Sequence, residues 1–249
     1  MKTRITAQTL FEKLNGFNAE NKSMVAIFDL DSTLFNVSPR TQKILSEFAQ
    51  DLAEKELQEQ LLQVAVKQSD WGLKETLTNA GFSLNEHPDI FPKLRDFWIQ
   101  RFFSSRYLHY DVPTRGAVVF AHQLNDLAEK KPEIIYLTGR DESRMGPGTR
   151  EVLKKWNFPE GRVVLKPHRD LDDAEFKLQW LGELIETERL THPEKEILFF
   201  ENEPVNINLI GRKFPHVHVI FLNTTHSRRE EISVPVFEMD HFDINQESD

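Results

Sequence analysis

Residues 24–34, Met-Val-Ala-Ile-Phe-Asp-Leu-Asp-Ser-Thr-Leu, set an unbroken apolar stretch directly against two aspartates one residue apart. A short apolar run without polar alternation, closed by turn-forming residues, reads as a strand buried on both faces in a parallel sheet. Ligands of such open sheets bind beyond the carboxyl ends of the strands. Asp29 and Asp31 therefore fall where an α/β protein does its chemistry. An Asp/Ser/Thr cluster after a strand also makes an ordinary side-chain turn. These two carboxylates, however, are spaced to share one hard cation, and an aspartate that is a ligand can also attack an electrophilic phosphorus.

Further pieces follow in order. Residues 133–140, Glu-Ile-Ile-Tyr-Leu-Thr-Gly-Arg, form a second apolar strand ending in Thr138 and Gly139. A hydroxyl and a closely approaching backbone N–H at a strand end suit a phosphate, although a plain Thr-Gly turn has the same spelling. Lys177 lies near the start of a helical pattern that runs to about residue 190, and Lys166 closes the short strand 162–165. Either supplies a cation for phosphate charge. Residues 196–207 give another apolar strand followed by Glu201, Asn202, Glu203, Pro204 and Asn206, which also reads as a polar helix N-terminus.

Together these pieces resemble the four motifs of the haloacid dehalogenase-like (HAD) superfamily, beginning with its Asp-x-Asp-x-Thr. The resemblance covers roughly residues 22–38 and 112–225. It implies Asp29 as nucleophile, Asp31 as acid and base, and Thr138, Gly139 and Lys177 around the phosphoryl group. It also implies Mg²⁺ held by Asp29, Asp31, Glu201 and Asn202. Asn202 departs from the family's paired acids by bringing a neutral oxygen, and a shifted register makes Glu203 the alternative ligand. An acid at Asp31 sets phosphatases apart from the family's dehalogenases and P-type pumps. The implied function is Mg²⁺-dependent phosphomonoester hydrolysis through an aspartyl-phosphate, on a small phosphorylated metabolite. The alternatives are a degenerate domain that binds a phosphorylated ligand or partner without turnover, and a phosphotransferase or phosphomutase. Residues 138–153 also resemble the extended second motif of HAD acid phosphatases and polynucleotide 3′-phosphatases.

Strands are expected at about 24–29, 133–137, 162–165, 196–200 and 217–222. The helical patterns are 6–17, 113–130, 146–156, 172–190 and 204–212, which gives βαβ connections. The resemblance implies a three-layer α/β/α core of Rossmann type with a parallel sheet ordered 5-4-1-2-3, the Asp29 strand in the centre. The hundred residues between the first two motifs exceed a crossover. The expected division is thus a core of residues 1–39 and 112–249, interrupted by a helical unit at 40–111. The composition of Thr41–Gln68 and Pro88–Tyr110 is helical, and the resemblance makes this unit a C1-type cap over the active site. Its aromatics read one by one as the cap's own core. Arg101 and Arg106 could face a substrate anion or be surface charges. The acidic last dozen residues, 238–249, read as frayed.

At 249 residues and 39% hydrophobic, the chain can build an α/β core and an accessory unit. The formal charge of −9 disfavours broad contact with nucleic-acid phosphates. The absence of cysteine excludes disulfides and thiol catalysis. No apolar run resembles a signal peptide or could span a bilayer, so a cytoplasmic location is the expectation. Oligomeric state is left open.

Overall fold

The computed structural model describes residues 1–20, 22–127, 131–191 and 194–244. Its strands are β1 (Lys2–Arg4), β2 (Met24–Phe28), β3 (Phe35–Asn36), β4 (Val112–Pro113), β5 (Glu133–Asp141), β6 (Arg162–Lys166), β7 (Glu196–Glu201), β8 (His218–Leu222) and β9 (Val236–Met239). Its helices are α1 (Ala7–Ala19), α2 (Ser38–Gln50), α3 (Lys55–Leu62), α4 (Gly72–Asn79), α5 (Ile90–Phe102), α6 (Ala117–Asn125), α7 (Glu142–Lys155), α8 (Asp173–Thr191) and α9 (Pro204–Lys213), with a 3-10 turn at Ser105–Tyr110. No helix among the described residues is long and apolar enough to cross a membrane.

Seven strands pair in parallel in the order β1-β9-β8-β7-β2-β5-β6. The five expected strands keep the order 5-4-1-2-3, with β2 between β7 and β5. All of β2 is buried, and the strand period of two sends its side chains to opposite layers. Met24, Ala26 and Phe28 join Leu10 and Leu14 of α1, Phe120 of α6 and Val152 of α7. Val25 and Ile27 join Phe176, Leu181 and Ile185 of α8 and Ile207 and Ile210 of α9. That double burial explains the unbroken apolar run. It also fixes the exit of the chain at Asp29, whose N–H donates to the Phe200 carbonyl at 3.0 Å.

Several boundaries differ from expectation. The sheet carries two further strands beyond β8, first β9 and then β1 at the edge. Residues 238 and 239 belong to β9, and Phe242 is fully buried among Phe120 and Phe200, so the expected fraying does not hold through residue 244. Residues 245–249 lie outside the described residues. Helix α6 begins at Ala117, not 113, because Val112–Pro113 is taken by β4 and Gly116 turns the chain at φ 77°. The end of that expected helix, 128–130, lies outside the described residues. The stretch 41–68 is two helices, broken at 51–54, and α4 was not singled out in the sequence.

Strand β5 runs four residues past its expected end and α7 starts at Glu142, so strand and helix meet at one residue. Asp141 is the reason. Its carboxylate accepts from the Arg144 N–H at 3.0 Å, the Ser143 hydroxyl at 2.7 Å and Arg144 Nε at 2.8 Å, a helix N-cap made with a charge. Burial pushes this acid up, but those hydrogen bonds and the Arg144 charge outweigh it and bring it down to about 2. Asp141→Ala is expected to cost about 1–2 kcal/mol in urea unfolding at neutral pH. A native value below the unfolded one gives stability present above about pH 4 and lost as pH falls through about 2. The gap between wild type and variant should therefore close over that interval, and a pH-independent gap would show that the charge plays no part.

Helices α2–α5 enclose a core of their own, built on Leu45, Leu57, Leu61, Leu73, Leu77 and Leu94. The two crossings to this unit are tied by β3 and β4, antiparallel with Phe35 opposite Pro113 and Asn36 opposite Val112. The 3-10 turn before β4 is held against α7. The Gly148 N–H donates to Ser105 Oγ at 3.0 Å and Lys155 Nζ to the His109 carbonyl at 2.6 Å. A Cβ on Gly148 would stand 2.6 Å from the Ser105 carbonyl oxygen, so this approach requires glycine.

Candidate active site

The carboxyl ends of β2, β5 and β7 bring Asp29, Thr138 and Glu201 to the floor of one cavity, and Lys177 reaches it from the second turn of α8. Each is nearly or fully buried. Lys177 Nζ lies 2.6 Å from Asp29 Oδ1 and 2.8 Å from Glu201 Oε2, one ammonium between two carboxylates. Burial and the Glu201 charge push the Asp29 carboxyl upward against the pull of Lys177. Burial opposes the charge on Lys177, but the surrounding carboxylates hold it well above an ordinary lysine. Lys166 also lines the cavity, but its Nζ donates to the Leu171 carbonyl at 3.0 Å and stands 3.8 Å from Asp173. Of the two candidate lysines, Lys177 is the one placed between Asp29 and Glu201.

Glu201 is fully engaged. Oε1 accepts the N–H groups of Asn202 and Glu203, each at 3.0 Å, and Oε2 accepts Lys177 and the Asn206 amide at 3.0 Å. Asn206, the last polar residue of the run 196–207, is thus a support for Glu201. Asn202 Oδ1 accepts the Thr33 hydroxyl at 3.0 Å while its amide N–H donates to the Thr225 carbonyl at 2.6 Å. Glu203 turns away, its carboxylate accepting the Ser227 N–H at 3.0 Å and the Ser227 hydroxyl.

Asp31 leaves the floor cluster for a different set of charges. Ser32 adopts a left-handed φ of 62° and its N–H donates to the Phe35 carbonyl, a turn that brings Asp31 opposite Phe35. The Asp31 carboxylate then accepts from Arg40 Nη2 at 2.8 Å and Arg140 Nη2 at 2.5 Å. Both arginines also donate to Asp111, Arg40 Nε at 2.7 Å and Arg140 Nη2 at 2.7 Å. The result is a charge-balanced network of two aspartates and two buried arginines. Burial raises Asp31, but the Arg140 and Arg40 guanidinium groups outweigh it and hold the carboxyl well below its usual range. The sequence reading missed Arg40, Asp111 and Arg140; nothing in their local spelling marks them, since the partners lie 71, 29 and 109 residues apart.

The Thr138 side of the cavity is formed where β5 shifts register between Thr138 and Asp141. Thr138 Oγ1 accepts the Arg140 N–H at 3.3 Å, and Gly139 packs so closely on Asp173 that a Cβ would meet its carboxylate. Thr138, Gly139 and Lys177 all line the cavity. Arg101 and Arg106 do not: Arg101 stacks 3.2 Å from the Phe97 centroid, and Arg106 is exposed beside Tyr107. Arg95 and Arg229 line it in their stead.

Among the described residues no three His, Cys, Asp or Glu side chains converge as a ready metal cluster. The chemistry of the floor nevertheless suits a hard cation. Its donors are all oxygens, and two buried carboxylates face a single ammonium, which leaves one negative charge uncompensated. Asp29 and Asn202 are the side chains that could hold the ion, with water completing its shell. Glu201 adds charge, and the Asp31 carboxylate is committed to the arginines.

No family model matches the sequence, and no curated protein matches it. Solved structures do match. A HAD-superfamily hydrolase, subfamily IA, variant 1, from Geobacter sulfurreducens PCA aligns with a TM-score of 0.50 at 12% identity, covering 89% of this chain and 93% of that one. CbbY from Rhodobacter sphaeroides, solved with phosphate, aligns at 0.47 and 15% identity over 88% and 94% of the two chains. A haloacid dehalogenase-like hydrolase from Burkholderia xenovorans LB400 aligns at 0.48 and 14% over 86% and 92%. In fold, this chain is a haloacid dehalogenase-like α/β protein.

Proposed function

We propose that the protein hydrolyses phosphomonoesters through an aspartyl-phosphate on Asp29. The observation that carries this reading is the Lys177 ammonium bound between Asp29 and Glu201, beside Thr138, on the floor of a cavity. Fold alone does not assign chemistry; the side chains at the strand ends support this reading. An Asp29 oxygen attacks phosphorus, the bond to the ester oxygen breaks, and the alcohol departs with a proton. Water then attacks the phosphorus of the intermediate, and the P–O bond to Asp29 breaks to release phosphate. Thr138, the Gly139 N–H and Lys177 hold the charge of the transferring oxygens. Asp31 is the acid and base for the two half-reactions. As a proton donor it must take up a proton against its two arginines, and the arrival of a phosphate dianion favours that uptake by like-charge repulsion. A Mg²⁺ ion held by Asp29 and Asn202 would neutralise phosphate charge.

Hydrolysis of p-nitrophenyl phosphate is expected with Mg²⁺ and not after EDTA treatment. The saturation of Glu201 favours a second reading, a domain that binds phosphorylated ligands without turnover. Failure to bind Mg²⁺ in calorimetry, together with no hydrolysis, would select that second reading.

A further inference from the structure

The cavity over Asp29 is larger than a phosphate needs. Its volume of about 890 Å³ is in the range that encloses a whole organic ligand. The floor is ionic, but the side supplied by the helical unit is aromatic: Trp71 from the N-cap of α4, Phe91, Trp98 and Phe102 from α5, and Phe103 at its C-cap. Trp98 stacks on Phe102 with centroids 4.2 Å apart, and Phe103 meets these two rings edge-on at 5.9 and 5.2 Å. The leucine core of the unit is closed without them. Phe91 and Trp98 sit only at its margin, and Trp71 remains 44% exposed. Arginines lie over three of the rings, Arg40 over Phe102 at 4.1 Å, Arg144 over Phe103 at 5.3 Å and Arg229 over Trp71 at 5.7 Å. All five rings nevertheless stay partly exposed, and such rings in a concave wall mark a ligand surface.

Several polar groups beside these rings are used within the protein, while Gln68, Lys74, Arg95 and Arg229 also line the cavity. Trp98 Nε1 donates to Thr41 Oγ1 at 3.2 Å, Thr76 Oγ1 donates to the Gly72 carbonyl at 3.2 Å, and Asn36 Oδ1 accepts both the N–H and the hydroxyl of Ser38. Against the ring faces themselves a polyhydroxylated leaving group would lose its water hydrogen bonds with few replacements. A flat ring gains stacking and edge contacts. On the far side, the segment around Thr225–Arg229 clasps the helical unit: Thr225 Oγ1 donates to the Ser69 carbonyl at 3.2 Å and Arg228 Nη1 to Glu75 at 2.7 Å. The wall is thereby held over the phosphate end.

We propose that the leaving group of the substrate is an extended aromatic ring system, laid against Trp71, Trp98 and Phe103 with its phosphate toward Lys177 and Thr138. This rests on the reading of that floor as the phosphate end. Calorimetry in Mg²⁺ buffer with 2-naphthylmethylphosphonate, butylphosphonate and decylphosphonate tests it. The naphthyl compound is expected to bind about tenfold or more tightly than the butyl one, a preference of the size that ring contacts and added apolar burial give. Trp98→Ala and Trp71→Ala should each bring that ratio toward one; Trp71 is exposed enough that its loss does not endanger folding. Equal affinities would overturn the proposal, as would decylphosphonate binding more tightly than the naphthyl compound, which would assign the wall to alkyl chains. Assays with 2-naphthyl phosphate and acetyl phosphate separate the two readings. Ring-selective binding without turnover of either ester overturns the hydrolytic reading and leaves ring recognition standing. Turnover of acetyl phosphate without ring-selective binding does the reverse.

Discussion

Replacing Asp29 with asparagine is expected to lower p-nitrophenyl phosphate turnover by about ten-thousandfold or more, the scale on which loss of a covalent nucleophile is felt. The amide is too weak a nucleophile to form the phosphoryl intermediate. The same change should leave the fold intact for an electrostatic reason. Asp29 is buried with Glu201 against a single ammonium, and its ionisation is disfavoured by burial and by that neighbour. An uncharged isostere keeps an oxygen to accept from Lys177 and relieves the excess of negative charge, so thermal unfolding should occur at or above the wild-type temperature. A Lys177→Met variant has the opposite signature, since it leaves two buried carboxylates without a cation. Near wild-type turnover in Asp29→Asn would remove the mechanism, whatever the stability.

The contrast between those two residues says what a sequence reveals. Asp29 was legible because its backbone is the end of a strand buried on both faces, and that burial spells itself as a run of apolar residues. Thr138 and Glu201 were legible for the same reason. Lys177 was one of two candidates, because a helix position gives only a face; the choice is made in space, by Asp29 and Glu201 at 2.6 and 2.8 Å. Strands β1 and β9 escaped because three exposed residues, and four that are buried only at the two ends, carry no period of their own. They pair with each other across more than 230 residues of chain, and β9 also pairs with β8. The arginine network was invisible for a related reason: a buried arginine reads in sequence like a surface one. The aromatics of residues 91–103 were legible as bulk, but which face the cavity depends on how α5 is turned against α2 and α4.

The largest stability effect outside the hydrophobic layers is expected at Arg140. Its side chain is buried and donates to Asp31, to Asp111 and, at 3.4 Å, to Thr149 Oγ1. With Arg40 it balances the two aspartates. Arg140→Met leaves the buried Asp111 and the half-buried Asp31 against one guanidinium, a loss of about 3–5 kcal/mol. For a chain of this size that is a fall of roughly 6–20 °C in the unfolding midpoint. Arg140→Lys should recover only part of it, since a point charge cannot make the forked contacts to two acids. Removing one acid as well is the decisive comparison. Arg140→Met with Asp111→Leu leaves the single pair Arg40–Asp31, restores neutrality, and should be more stable than Arg140→Met alone. If the double variant is instead destabilised by the sum of its parts, the network is not acting as a charge-balanced unit. The expectation extends to catalysis because of where the four residues sit. Arg40 lies in the first turn of α2, Asp111 stands at the start of the return crossing, and Trp156 Nε1 fastens the Asp111 carbonyl at 2.9 Å. Arg140 itself is two residues from Thr138. Loosening this network frees Asp31 and both crossings to the aromatic wall at once. The turnover of Arg140→Met, assayed well below its own unfolding midpoint, should therefore fall along with its stability.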